Sequence, residues 1–206
     1  MKRMFLTPIT ALALFFGAFV PPATAQNARD LARISAYLNG IGTLAGDFVQ
    51  IDPDGILSEG QFYMRRPGRI RFEYREPNPA LVIADGIWVG IVDKRYSSVT
   101  RLPLSSTPLN LILKTNVDLS EEGAITHIDR SDGQLRVVAQ DPDEPEAGTI
   151  TMVFGDSPLE LRQWIVDDPQ GGVTTVALSA LRADVEVPGA LFIIPDDGTD
   201  ESTGDR

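Results

Sequence analysis

The spacing of apolar residues changes period twice along the chain. Between Asn27 and Asn39 they fall at Leu31, Ile34 and Leu38, and Ile41 follows. That 3-4-3 spacing makes one stripe and predicts a helix over 27–39. Asn27 is placed to cap its start, with Asp30 in a box-like position three residues on. Gly40 stands where a C-terminal cap belongs. From Leu44 the period becomes two. Strands are predicted over 44–51, 57–65, 69–75, 81–84, 87–93, 96–102, 124–130, 134–140, 149–154, 160–167 and 173–180. The breaks carry turn chemistry, such as Asp52-Pro53-Asp54-Gly55, Arg66-Pro67-Gly68 and Ser131-Asp132-Gly133. Residues 60–74, "GQFYMRRPGRIRFEY", set the pattern most clearly. Phe62, Met64, Ile70, Phe72 and Tyr74 share one face, and Gln61, Arg65, Arg69, Arg71 and Glu73 lie on the other.

Many short strands at regular spacing predict a mainly β fold with some α, an antiparallel barrel or strongly curled sheet. One piece interrupts them. In "SSTPLNLILKT" Ser106 or Thr107 is placed to cap a helix over 108–114, with Pro108 near its first position. Leu109, Ile112 and Leu113 would share its buried face, and Lys114 suits its negative end. A curled sheet covered by two apolar helices either encloses a greasy cavity or is plugged into a dry core. Periodicity does not separate the two.

The first 25 residues change the picture of the mature chain. A basic start, an apolar run from Phe5 to Val20, and Ala23-Thr24-Ala25 read as a secretory signal peptide cleaved after Ala25. The run is short for a spanning helix. Without cysteine there is no residue to acylate and no disulfide scaffold. One domain is expected over 26–195, followed by a flexible acidic tail over 196–206. The net charge of −11 becomes −13 once Lys2 and Arg3 are removed. Such a chain repels nucleic acid and anionic membrane surfaces.

Candidate chemistry is sparse. His127 is the one histidine. It lies in a strand pattern without metal-ligand partners nearby and reads as a surface or edge-strand residue. The nucleophile-elbow pattern G-x-S-x-G does not occur. "DPDEPE", Asp141 to Glu146, lacks the spacing of a calcium loop and reads as a solvated connection. Gly40-x-Gly42 follows a helix rather than a strand, so it is no dinucleotide loop. No catalytic, metal or cofactor site is expected. Arg69, Arg71 and Arg75 read as a solvated face with weak cross-strand ion pairs. Arg66 differs by position, at a strand end where a guanidinium reaches across a barrel mouth.

The order of these features resembles the periplasmic outer-membrane lipoprotein carrier proteins, the LolA family. The densest stretch is "GQFYMRRPGRIRFEYREPNPALVIADGIWVGIVDKR", residues 60–95. A glycine, an aromatic strand, a basic-Arg-Pro turn, a second aromatic strand and an Asp-Gly pair before Trp88 follow the family's order. "TPLNLIL" matches its inserted helix and "VPGALFIIP" its late strand. The resemblance implies an incomplete antiparallel β-barrel, a half-barrel, closed by an α-helical lid. Leu31, Ile34, Leu38, Phe62, Met64, Phe72, Trp88, Leu109, Ile112 and Leu113 would line or close an acyl-chain cavity. The family's functional arginine maps to Arg66, where it would bond to lid backbone and hold the empty cavity shut. The implied role is non-enzymatic. A monomeric periplasmic carrier would take acylated lipoproteins from an inner-membrane ABC transporter and pass them to an outer-membrane acceptor lipoprotein. The runner-up is a carrier or sensor of another lipid on the same half-barrel, and a periplasmic hydrolase is the alternative of another class.

Overall fold

The computed structural model describes residues 23–196. The signal peptide expected over 1–25 therefore falls almost wholly, and the acidic tail over 196–206 all but its first residue, outside the described residues. Eleven strands form one antiparallel sheet in the order β6-β5-β4-β3-β2-β1-β11-β10-β9-β8-β7. They are β1 (Thr43–Ile51), β2 (Leu57–Arg65), β3 (Arg69–Tyr74), β4 (Ala80–Asp85), β5 (Trp88–Asp93), β6 (Ser98–Pro103), β7 (Ile125–Ser131), β8 (Gln134–Ala139), β9 (Thr149–Asp156), β10 (Leu159–Asp167) and β11 (Val173–Ala183). Two meanders, β1–β6 and β7–β11, are joined where β1 pairs with β11. β6 and β7 remain as edges, so the barrel is not closed.

The sheet nevertheless curls strongly. Phe72 on β3 and Trp164 on β10 have ring centroids 6.0 Å apart. Four strand spacings separate β3 from β10, about 19 Å in a flat sheet. The two rings meet only because the inner face bends round on itself. Phe48 contacts Phe72 and Tyr74 edge-on at 5.1 Å and 5.0 Å, and Phe62 stacks on Phe72 at 6.1 Å. Contacts of this kind add about 0.5–1.5 kcal/mol each beyond area burial. Gly60 makes the packing of Phe48 possible. It sits between Phe48 and Tyr74 in the register, and a Cβ there would lie 2.8 Å from the Phe48 ring and 2.0 Å from the Glu73 carbonyl oxygen.

Helix α1 (Ala23–Gly40) lies on the inner face. It starts before Asn27, which is exposed within it and is not its cap. The Ala-rich stretch before Asn27 favours helix and carries it back. Asp30 is not a capping residue either. It is 2% exposed and accepts from Arg130 Nη2 on β7 at 2.6 Å and from Arg33 at 3.4 Å. Arg130 also pairs with Asp156. This network fixes the N-terminal half of α1 to the β7–β9 end of the sheet.

The second helix is shorter than the periodicity implies. α2 (Asn110–Leu113) has four residues, and a 3-10 turn at Leu104–Ser106 precedes it. Ser106 and Thr107 do not cap it. Their hydroxyls donate back to the carbonyls of Pro103 and Leu104, a local bond that competes with capping. Leu111, Ile112 and Leu113 are all buried, so α2 has no solvent face along these three residues.

The largest departure is at "VPGALFIIP". Residues 184–196 form no strand but a strap with one 3-10 turn at Gly189–Phe192. It crosses the outer face rather than extending an edge. Thr43 on β1 donates to the Val185 carbonyl, Arg71 on β3 to Leu191, and Arg101 on β6 to Pro195. Successive strap residues therefore meet successive strands. Pro188 and Pro195 lack the N–H that strand pairing needs. Beneath the strap Leu81, Ile83 and Val92 pack against Val187 and Phe192 as a second core. Arg71, expected to be solvated, instead clamps this strap, while Arg75 makes exposed ion pairs with Asp47 and Glu59.

Candidate functional site

The site is built at the β2–β3 turn. The register pairs Arg65 with Arg69 and leaves Arg66-Pro67-Gly68 as the connection. The turn is bonded to its surroundings through backbone. Arg66 N donates to the Gly42 carbonyl at 2.9 Å and Gly68 N to the Leu113 carbonyl at 2.8 Å. This places the Arg66 side chain between the C-terminal ends of both helices. Its Nη1 donates to the Leu38 carbonyl of α1. Its Nη2 donates to the Lys114 carbonyl at the end of α2 at 2.5 Å and to Asn39 Oδ1 at 3.3 Å.

Helix C-termini leave carbonyls without intrahelical partners and carry partial negative charge. A guanidinium, a planar fork of donors without an acceptor, suits both ends at once. The fit is incomplete, however. Among the described residues, Arg66 Nε is the buried side-chain polar atom with no hydrogen-bond partner. Burial also pushes the guanidinium pKa below its ordinary value. Asn39 completes the junction. It exchanges two bonds with the Val117 backbone, both 2.9 Å, and so ties α1 to the chain after α2.

Behind this junction lies the apolar interior. Ile34, Leu38, Phe62, Met64, Phe72, Ile112 and Leu113 are buried in one cluster, and Leu31 and Leu109 pack against it half-buried. Trp88 departs from this set. It is 44% exposed. Its neighbour Val89 belongs to the inner cluster, and strand alternation turns Trp88 to the opposite face. Phe48, Trp164, Leu111, Val117 and Leu119 also belong to the cluster; periodicity alone did not single them out. His127 is exposed on edge strand β7. No group of metal-binding side chains occurs among the described residues.

The interior is occupied by its own side chains. Two grooves lie near α2. One, of about 470 Å³, has Leu102, Pro108 and Val166 in its floor and Glu144 and Glu146 in its rim. The other, also about 470 Å³, runs past Pro67, Arg69, Ile87 and Lys114. "DPDEPE" is not wholly solvated. Asp141 is 5% exposed and contacts Asn110 and Lys114 of the α2 region. One polar pair lies inside the sheet. Tyr74 donates to Gln50 Oε1 at 2.7 Å, and burial pushes its phenol up to about 12.

The chain is similar to known proteins. An outer-membrane lipoprotein carrier protein of Alkalilimnicola ehrlichii is 29% identical, over 95% of this chain and 94% of that one. Another, of Chromobacterium violaceum, is 28% identical over the whole of both chains. Among solved structures, a DUF1329 family protein from Desulfovibrio piger has the fold with a TM-score of 0.51 at 14% identity, covering 82% of this chain and 96% of that one. The family model for the outer membrane lipoprotein carrier protein LolA matches residues 39–195, which takes in the Arg66 turn, α2 and the outer strap. The chain therefore belongs to the LolA family of outer membrane lipoprotein carrier proteins.

Proposed function

We propose that this protein is a non-enzymatic periplasmic carrier that shields the acyl chains of lipoproteins between the two membranes. It would receive them from an inner-membrane ABC transporter and give them up to an acceptor at the outer membrane. The observation that carries this reading is the Arg66 junction. One cation joins the ends of both helices that cover an apolar interior.

A carrier has to shield its cargo and also release it. An acyl chain gains about 0.8 kcal/mol per CH₂ buried, so a multiply acylated anchor does not cross water bare. Here the interior is filled by α1, α2 and the aromatic cluster, and the empty protein exposes little of it. Cargo would displace the two helices and take over their apolar contacts. The latch is suited to this. Hydrogen bonds from a charged donor contribute about 1.5–3 kcal/mol each. The unpartnered, buried Nε costs about 1–3 kcal/mol, and opening would hydrate it. The closed state is thus favoured by a modest margin that a ligand can reverse.

No helix among the described residues is long and apolar enough to cross a membrane, which suits a carrier moving between membranes. Native mass spectrometry of the protein recovered from its own periplasm tests the proposal. Acylated polypeptide should be found on a fraction of the molecules. Recovery of the bare chain alone, from cells exporting lipoproteins, would contradict it.

A further inference from the structure

Lys114 is held from two sides. Its carbonyl accepts from Arg66, which stands on the β2–β3 turn. Its ammonium lies 3.8 Å from Asp141 Oδ1, on the connection between β8 and β9. Asn110, at the start of α2, donates to the other Asp141 oxygen at 3.3 Å. β2 and β3 belong to one meander, β8 and β9 to the other. α2 is therefore a crossbar between the halves of the open sheet, tied to one by Arg66 and to the other by Asp141.

The Asp141 tie is loose for a buried charge. The residue is 5% exposed, and its third contact, from Asp143 N, is also 3.3 Å. Charge-assisted N–H···O bonds are usually about 2.7–2.9 Å, and a carboxylate has about four acceptor positions. A buried carboxylate compensated only by long contacts gains from hydration when its site opens. Arg66, with its unpartnered Nε, has the same character at the other end of the crossbar. The groove lined by Leu102, Pro108 and Val166 lies just before α2, and Glu144 and Glu146, on the same connection as Asp141, also line it.

Resting on the carrier reading, we infer that Asp141 is a second latch on α2. It acts from the opposite half of the sheet to Arg66 and yields when an acyl chain enters beside it. Asp141 is a positioning residue in this account, acting through α2.

Hydrogen exchange on the cargo-free full chain tests the latch, with Asp141→Asn, Lys114→Met and the double variant. Each single change should speed amide exchange over 110–117 about tenfold, as local opening becomes easier. Exchange in β1–β3 should stay as in wild type. The double variant should be no faster than either single one, since both remove the same contact. Unchanged exchange over 110–117, acceleration spread equally into β1–β3, or effects that multiply in the double variant would each overturn the inference. A second arm uses a fluorescent peptide palmitoylated on its N-terminal cysteine. Uptake by Asp141→Asn should be about tenfold faster than by wild type, following the more frequent opening. Faster exchange with unchanged uptake would also overturn it. No uptake by wild type itself would sink the carrier reading instead, and exchange would still decide whether Asp141 holds α2.

Discussion

Arg66 and Tyr74 show two ways in which a polar group is kept at the rim or inside of an apolar shell. Arg66 is charged, spans two helix ends and leaves one donor unpartnered. Tyr74 is neutral and gives its one proton to Gln50. Its phenol, held near 12 by burial against an ordinary value of 10.0, has a consequence for stability. The neutral form is the one the fold favours. The stabilisation is therefore fully present below about pH 10 and is lost as pH rises from there towards 12. A spectrophotometric titration of tyrosinate should show a late-titrating phenol that Tyr74→Phe removes, and Tyr74→Phe should soften the alkaline fall in stability. Burial pushes the Tyr37 phenol up as well, so one late phenol remains in Tyr74→Phe, and an alkaline titration unaltered by Tyr74→Phe would contradict this assignment.

Among the elements, the strands were the most legible. Period-two alternation located all eleven within a few residues, because each has an inner apolar face and a register slip would turn it to solvent. Arg66 stood out at a strand end next to Pro67 and Gly68, and the family resemblance supplied its partners. The carbonyls of Leu38 and Lys114 were not legible without it, since backbone acceptors leave no trace in a side-chain pattern. Asp141 was hidden for another reason: its partners are side chains of a distant segment. Trp88, which the resemblance put in the cavity set, faces outward, because its neighbour Val89 occupies the inner face. The strap misled most. Its apolar residues cover the outside of the sheet, a second core that a one-core reading does not anticipate. Gly90 makes room for it, since a Cβ there would lie 2.5 Å from Ile194 Cγ2. Gly90→Ala should displace the strap and cost about 1–3 kcal/mol, as overpacking does. Thermal unfolding should shift down, and limited proteolysis should cut within 185–196 sooner than in wild type. Unaltered melting and cleavage would show that the strap is not seated on Gly90.

On the scale of the whole molecule, an open sheet with two unpaired edges is held in one shape by what crosses it. The strap crosses the outside, and α1 and α2 cross the inside. Among the described residues, the one buried side-chain polar atom without a partner, Arg66 Nε, lies at the inner crossing, which is the crossing that yields in the proposed carrier. A net charge of −11, or −13 without the first 25 residues, favours solubility. The central claim is that Arg66 holds the empty carrier shut and so competes with bound cargo. The measurement that tests it most directly is a lipoprotein transfer assay, from transporter-bearing membranes to the carrier and on to an acceptor, with wild type, Arg66→Leu and Arg66→Lys. Arg66→Leu loses every bond to Leu38, Asn39 and Lys114. It should accept lipoprotein and release it poorly, because closure no longer competes with the acyl chains. Arg66→Lys keeps the charge without the planar fork and should be intermediate. Release by Arg66→Leu at the wild-type rate would contradict the account.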